Sequence, residues 1–370
     1  MPPSLKPKTI AWPLTLAYIA LVIYASLYPF ENWRNQGVAP WAFMFQPWPK
    51  YWTKFDVIIN MLGYAPLGFL AALAAQRTGR GKHALWLVTL GVLLLSFCME
   101  SVQSYLLARV ASNVDLGLNV LGGMVGALCA LGLEKAGAID HWSHFKQTWF
   151  TPNARGALVL LALWPLALVF PAAVPLGLGQ VLERLETALG SVLTGTPFLE
   201  WLPMRTVELQ PLVPGAEMVC VLLGTLVPVL LGFSVIRLKV KRLAFVGLVL
   251  FGAVAVSALS ATLSYGPDHA LAWLTLPVQL GLLLGGVLSL LFVLLPARVC
   301  VALLLLALML QLSILNLAPD NPYFAQTLQT WEQGRFIRFH GVIQWLGWLW
   351  PFVTVLYLVQ RISQRSSDDN

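Results

Sequence analysis

Residues 243–264 read LAFVGLVLFGAVAVSALSATLS and contain no charged side chain. A helix needs roughly 20 apolar residues to cross the hydrocarbon core of a bilayer, so this segment is long enough to span it. Charge-free segments of similar length recur along the whole chain, whereas a transmembrane barrel would show short segments of alternating hydrophobicity. The sequence therefore predicts an all-α, polytopic transmembrane helical bundle.

The composition agrees with this class, because 58% of the residues are hydrophobic, 11% are charged and the mean hydropathy is +0.75. A soluble domain has about a quarter of its residues charged. The net charge of +7 is typical of basic cytoplasmic loops, and no basic segment carries the stacking aromatics of a nucleic-acid surface. Nucleic acid is therefore not expected as a partner. The cysteines are interpreted as buried apolar residues, with neither disulfides nor a metal site: Cys98, Cys129, Cys220 and Cys300.

Ten membrane spans are predicted. Their approximate bounds are 11–28, 57–75, 84–106, 115–133, 156–178, 216–236, 243–264, 270–295, 299–318 and 341–360. The first apolar segment follows Lys6 and Lys8 and has no convincing cleavage site, so we interpret it as a retained helix, not a signal peptide.

Lys and Arg set the predicted orientation. With the N-terminus in the cytoplasm, 15 of the 23 basic residues fall on cytoplasmic segments and 8 on outer ones. The short basic loops 77–82 and 237–242 give the clearest signal under the positive-inside rule. We therefore expect a multi-pass protein of the cytoplasmic (inner) membrane with both termini inside.

The chain is predicted to divide at its most polar inner connection. Residues 1–134 form a four-helix unit, residues 135–155 a cytoplasmic linker, and residues 156–370 a six-helix unit. Two outer segments have interfacial character, an aromatic one at 41–52 and an amphipathic one at 179–193. Simple anchoring and a ligand-contacting role are both open for these segments.

A short motif occurs twice in the N-terminal unit. The pattern D-x-x-x-N-x-L-G opens the second span at Asp56 and Asn60, and opens the fourth span at Asp115 and Asn119. Residues four apart lie on one face of a helix. An Asp in a first turn also caps free amide groups, which accounts for either Asp alone but not for the Asn one turn deeper.

The third span supplies further polar residues near its outer end. Glu100 and Gln103 share a face, and a carboxylate at this depth almost always faces the protein interior. Arg109, on the following loop, is the expected cationic partner because it can bind two carboxylates. Two interpretations are open: a polar lock that holds four helices together, and a polar pocket open to the outer face.

Over residues 10–133 the chain resembles the VanZ-like family. The resemblance rests on an ordered set of motifs: Tyr24-Ala-Ser-Leu-Tyr-Pro-Phe30, Asp56-x-x-x-Asn60-x-x-Gly63-x-x-Pro66-Leu67-Gly68, Glu100-x-x-Gln103, Arg109 and Asp115-x-x-x-Asn119. It implies a link to teicoplanin (lipoglycopeptide) resistance without a defined biochemical activity. It also implies that the matching positions are the family's polar motif residues, and we predict that these residues bind the ligand: Asp56, Asn60, Glu100, Gln103, Arg109, Asp115 and Asn119.

Three functions fit these residues. The first is an envelope protein, not an enzyme, that binds or shields a lipid-linked or lipoglycopeptide ligand at the outer face. The second is a membrane enzyme acting on a lipid or glycan headgroup, with Glu100 as general acid or base. In that case Asp56 and Asp115 would polarise a nucleophile or hold Mg²⁺ or Ca²⁺, which prefer oxygen ligands. The third is a proton-coupled transporter, although the ionisable groups lie at one face instead of forming a chain across the membrane.

Overall fold

The protein is described from a computed structural model, and it is all-α. Its described residues are 11–27, 30, 32–48, 54–107, 109–201, 209–319 and 340–368. Within them lie twelve α-helices, with bounds α1 Ala11–Leu27, α2 Lys54–Arg77, α3 Ala84–Gln103, α4 Asn113–Lys135, α5 Ala138–Trp149, α6 Arg155–Val169, α7 Leu182–Leu193, α8 Pro214–Phe233, α9 Lys239–Tyr265, α10 Leu276–Phe292, α11 Ala297–Leu315 and α12 His340–Asp368.

Six of the described helices are long and apolar enough to cross a membrane: Val57–Arg77, Gly81–Gln103, Asn113–Lys135, Pro214–Phe233, Lys239–Tyr265 and Ala297–Leu315. Three shorter apolar helices are α1, α6 and α10. The last predicted span, 341–360, lies within α12. The prediction of an all-α, multi-span membrane protein is thus confirmed, while the count of ten and the orientation stay predictions.

The chain divides into two compact units, Met1–His144 and Phe145–Asn370. The division falls inside the segment 135–155, where a connecting linker was expected. Much of that segment is helical, because α5 covers Ala138–Trp149.

In the first unit, α2 and α4 make the closest contact. A Cβ built on Gly122 would collide with the backbone of Met61, and one built on Gly126 with the backbone of Ala65. The paired positions increase together along both helices, so α2 and α4 run parallel. Small residues let the backbones of membrane helices approach closely, which here brings the two D-x-x-x-N motifs side by side.

The fifth predicted span ends earlier than its hydropathy suggested. α6 stops at Val169, and Phe170 has extended backbone with ψ 126°. Pro171 explains the stop, because the residue before a proline is disfavoured in the α region. The third and eighth spans are also shorter than expected, since α3 ends at Gln103 and α10 begins at Leu276.

The amphipathic segment expected at 179–193 forms α7. Its apolar residues Leu182, Leu185 and Val192 are exposed, as a helix lying in an interface requires. The Oδ1 atom of Asn316 accepts the backbone N–H groups of Val181 and Leu182, each at 3.1 Å, and so caps the N-terminus of α7. Attachment of α7 to a membrane surface stays a prediction.

The second unit is built around α8, which is buried along most of its length and contacts α6, α9, α10 and α11. Arg242, at the start of α9, is itself buried. Its guanidinium donates to the carbonyl oxygens of Phe233 at 2.7 Å, Val293 at 3.0 Å and Leu295 at 2.6 Å. One arginine therefore satisfies the C-terminal carbonyl groups of α8 and of the turn after α10, which have no partner within their own helices.

Candidate functional site

One hydrogen bond joins the two copies of the repeated motif. The side-chain amide of Asn60 on α2 donates to a carboxylate oxygen of Asp115 on α4, at 2.7 Å. Asn60 is buried, and Asp115 is partly exposed at the start of its helix. The Asn of one copy thus pairs with the Asp of the other, which explains why a residue one turn below the helix start has to be polar.

Glu100 reaches the same helix start from α3. Its side chain is 4% exposed, and its Oε2 atom accepts the backbone N–H of Ser112 at 2.9 Å. The Oγ atom of Ser112 in turn accepts the backbone N–H of Asp115 at 3.3 Å, which makes Ser112 the N-cap of α4. Glu100 therefore faces the protein interior, as predicted for a carboxylate at this depth.

This arrangement changes the usual N-terminal capping pattern. In a capping box the third helical residue returns a bond to the backbone N–H of the N-cap residue. Here Glu100 of another helix accepts that N–H from Ser112. The carboxylate of Asp115 consequently binds Asn60, and the start of α4 is linked to both α2 and α3.

A second polar contact lies one turn further along α4. The side-chain amide of Asn119 donates to the Oγ atom of Ser96 at 3.0 Å, and both residues are buried. The Oδ1 atom of Asn119 has no hydrogen-bond partner among the described residues. A buried acceptor of this kind is costly to leave unpaired, so it offers a position for one donor.

Gln103 takes a different direction. Its amide donates to the backbone carbonyl of Ser26 at the end of α1, at 2.9 Å, which ties α3 to α1. Gln103 therefore holds α1 and α3 together. This bond does not connect it to the Asn60–Asp115 contact.

The last two sequence-predicted residues are only partly described. Arg109 is half-buried on the loop between α3 and α4, and its pairing with the carboxylates stays a prediction. Asp56 belongs to α2, one turn before Asn60, and its side chain lies outside the described residues.

The site brings two carboxylates, Glu100 and Asp115, to one end of the helices. In the part of the chain that the structure describes, no group of three or more His, Cys, Asp or Glu residues could hold a metal ion. The predicted oxygen set for Mg²⁺ or Ca²⁺ also includes Asp56, whose side chain is not described, so that set stays a prediction.

The aromatic segment lies at the same end of the helices as the carboxylates. Phe43 is buried and its ring lies 5.9 Å from that of Phe97 on α3. Asn113, the first residue of α4, donates to the backbone carbonyl of Gln46 at 2.8 Å. These contacts fix the segment beside Glu100 and Asp115, while three of its large side chains remain exposed: Trp41, Phe45 and Trp48.

Two serines that bind polar residues of the site, Ser96 and Ser26, were not predicted from the sequence. Ser112 carries a recognisable signal, because Ser112-Asn-Val-Asp115 matches the pattern S-x-x-D that opens helices. Ser96 has a weaker signal as the polar residue one turn before Glu100 on the same face. The carbonyl of Ser26 had none, since any residue type offers the same acceptor.

Helices of membrane-spanning length and a polar cluster shared by α2, α3 and α4 define a multi-span membrane protein. Residues 10–134 match the model of the VanZ/LLP1 family, as the resemblance over residues 10–133 indicated. No curated protein and no solved structure matches the chain. The family match ends before the second unit, so the family assigns no role to residues 145–370.

Proposed function

We propose that the protein binds or shields a lipid-linked or lipoglycopeptide ligand at the outer face of the cytoplasmic membrane. The polar cluster of Asn60, Glu100, Asp115 and Asn119 would contact the headgroup. The exposed aromatic side chains beside it would hold the lipid portion at the interface. The match of residues 10–134 to the VanZ/LLP1 family supports a role like lipoglycopeptide resistance.

The observation that carries this proposal is the attachment of the aromatic segment to the helix end that bears the carboxylates. The ring contact of Phe43 with Phe97 and the bond from Asn113 to Gln46 join the two features. Exposed Trp side chains prefer the headgroup level of a bilayer, because the indole ring has a polar N–H edge. A ligand with both a polar head and an apolar tail could therefore meet both surfaces at once.

The chemistry of the cluster favours a ligand that donates hydrogen bonds. Asp115 is partly exposed, and a carboxylate accepts from hydroxyl, amide or ammonium groups with the strength of a charged acceptor. Sugar hydroxyls and peptide amides of a glycopeptide or cell-wall precursor supply such donors. The Oδ1 atom of Asn119, which no described residue pairs with, adds one deeper acceptor.

The proposal includes an orientation with ten spans and both termini in the cytoplasm. The basic segments 77–82 and 237–242 support it, because cytoplasmic loops carry the excess of Lys and Arg. In that orientation the ends of α2, α3 and α4 that carry Asn60, Glu100 and Asp115 face outward.

The test uses the full-length protein in lipid nanodiscs, with teicoplanin and a lipid-linked peptidoglycan precursor as probes. We expect Asp115→Asn to weaken binding of one probe about tenfold, because a charged acceptor is worth about 1.5 kcal/mol more than a neutral one. Glu134→Gln is the matched control, since Glu134 is an exposed carboxylate at the other end of α4. Equal binding by Asp115→Asn and wild type would contradict the proposal, and turnover of a probe would favour the enzyme hypothesis instead.

A further inference from the structure

The first unit contains a second feature, an apolar cavity of about 280 Å³ between α1, α2 and α3. This volume is near the lower end of the range for small-molecule sites. Side chains from all three helices line it, among them Thr15, Ile19, Leu67, Ala71, Val88 and Leu95.

The cavity occupies the half of these helices away from the polar cluster. On α2 its lining runs from Leu67 to Ala75, whereas Asn60 precedes this part of the helix. On α3 the lining runs from Leu87 to Leu95, about 12 Å of helix rise, and ends before Glu100. The cavity is therefore an elongated space along the helix axes, distinct from the site proposed above.

In the part of the chain that the structure describes, one side of the cavity is open. Leu87 and Trp12 line it and are exposed. A Cβ built on Gly91 would meet no atom within 4 Å, so α3 leaves free space at this position. In a membrane-spanning unit an exposed apolar side faces lipid tails, so a chain from the bilayer can enter here without crossing polar surface.

The charge at one end of the cavity identifies the chemistry of its occupant. Among the lining residues that the structure describes, Arg80 is the only one with a charged side chain, and it is exposed on the connection between α2 and α3. Arg77 and Lys82 flank it, and the segment 77–83 has no acidic residue. Basic residues between membrane helices bind the phosphate groups of anionic lipids.

We propose that this cavity is a binding site for an anionic phospholipid. One acyl chain would lie along Leu87–Leu95 of α3, and the phosphate would bind Arg80. The apolar walls select an alkyl chain, while the basic end selects an anionic headgroup over a zwitterionic one. The site lies at the end of the unit with the basic loop, so it is independent of ligand binding by Asp115 and Glu100.

Native mass spectrometry of the delipidated full-length protein tests the proposal, with phosphatidylglycerol and phosphatidylcholine of identical acyl chains as probes. We expect phosphatidylglycerol to bind more tightly. Arg80→Gln should weaken its binding about fivefold, as expected for one basic contact to an anionic lipid, and leave phosphatidylcholine unchanged. Gly91→Leu should weaken both lipids, because its side chain would fill the open space.

Two matched variants separate a built site from general attraction. Arg77→Gln removes a charge from the same loop outside the lining, and Gly132→Leu adds the same side chain at an exposed helical glycine with no atom within 4 Å of a built Cβ. Both should bind phosphatidylglycerol like wild type. The proposal is overturned if Arg77→Gln loses as much affinity as Arg80→Gln, if Gly91→Leu binds like Gly132→Leu, or if an isoprenyl phosphate or fatty acid displaces phosphatidylglycerol from the site.

Discussion

The side-chain amide of Asn60 binds the carboxylate of Asp115 across 2.7 Å, and so joins the second turn of α2 to the first turn of α4. A bond between side chains on two membrane helices is worth about 1 kcal/mol, because the unfolded helices find alternative partners in the bilayer. We expect Asn60→Ala and Asp115→Ala to lower the free energy of unfolding by amounts that do not add. The coupling should be about 1 kcal/mol in a double-mutant cycle measured by detergent unfolding.

Gln103 gives the control for this cycle. It binds the carbonyl of Ser26 on α1, whereas Asn60 binds Asp115 on α4, so Asn60→Ala and Gln103→Ala should be additive within about 0.5 kcal/mol. If the losses of unfolding free energy in Asn60→Ala and Asp115→Ala also add, the bond between these two residues contributes nothing to stability.

The contact between α2 and α4 depends on two glycines one turn apart. Gly126 lies against the backbone of Ala65, where a Cβ would collide, so Gly126→Ala should push the helices apart. We expect a loss of about 1–3 kcal/mol of unfolding free energy, the usual cost of an overpacked interface. Thermal unfolding in detergent measures this loss.

Gly132→Ala on the same helix is the matched substitution, because nothing lies within 4 Å of a Cβ at Gly132. It should be neutral or stabilising by up to about 1 kcal/mol, since alanine is the better helix former. If both variants unfold at the same temperature, the close approach of α2 and α4 does not contribute to stability.

The sequence predicted the helices well, because long apolar segments leave little choice of structure in a bilayer. The positions of the repeated motif were equally accessible, since Asp56 and Asn60, or Asp115 and Asn119, are fixed relative to each other by one helical turn. The end of α6 was predicted too late. The signal was present in Pro171, but hydropathy outweighed it in the prediction of the fifth span.

The partners of the polar residues could not be predicted from the sequence. Asn60 and Asp115 are 55 residues apart, and their pairing depends on the register in which glycines of α4 meet the backbone of α2. The bond from Ser112 to Glu100 depends on the path of the loop between α3 and α4. Such contacts follow from tertiary packing, whereas the sequence indicates only that each residue needs a partner.

Arg242 is expected to be the most sensitive basic residue of the second unit. It donates to four backbone carbonyls, those of Phe233, Ile236, Val293 and Leu295. Lys has three donors on a single atom and cannot reproduce this planar arrangement. We expect Arg242→Lys and Arg242→Met each to lower the unfolding free energy by about 3 kcal/mol, because several buried acceptors lose their donors.

Lys239→Met is the control for this position. Lys239 is exposed at the N-terminus of the same helix, and its substitution should change stability by less than about 0.5 kcal/mol. If Arg242→Met and Lys239→Met have the same free energy of unfolding, water replaces the guanidinium at these carbonyls. Thermal unfolding of both variants in one detergent gives the comparison.

The predicted orientation can be tested with two exposed positions of the first unit. Trp48 lies in the aromatic segment before α2, and Lys82 lies on the basic connection after it. After replacement of the native cysteines by alanine, a membrane-impermeant maleimide applied to intact cells should label Trp48→Cys and leave Lys82→Cys unlabelled. The reason is that α2 crosses the membrane once between the two positions, and the positive-inside rule keeps the basic connection in the cytoplasm.

Permeabilised cells provide the control, because both variants should then react. Lys239→Cys, on the other strongly basic connection, should behave like Lys82→Cys. Labelling of Lys82→Cys but not of Trp48→Cys in intact cells would invert the orientation, and the polar cluster would then face the cytoplasm. Glu100 and Asp115 could not meet a lipoglycopeptide from outside in that case, so this experiment tests the premise on which the proposed function depends.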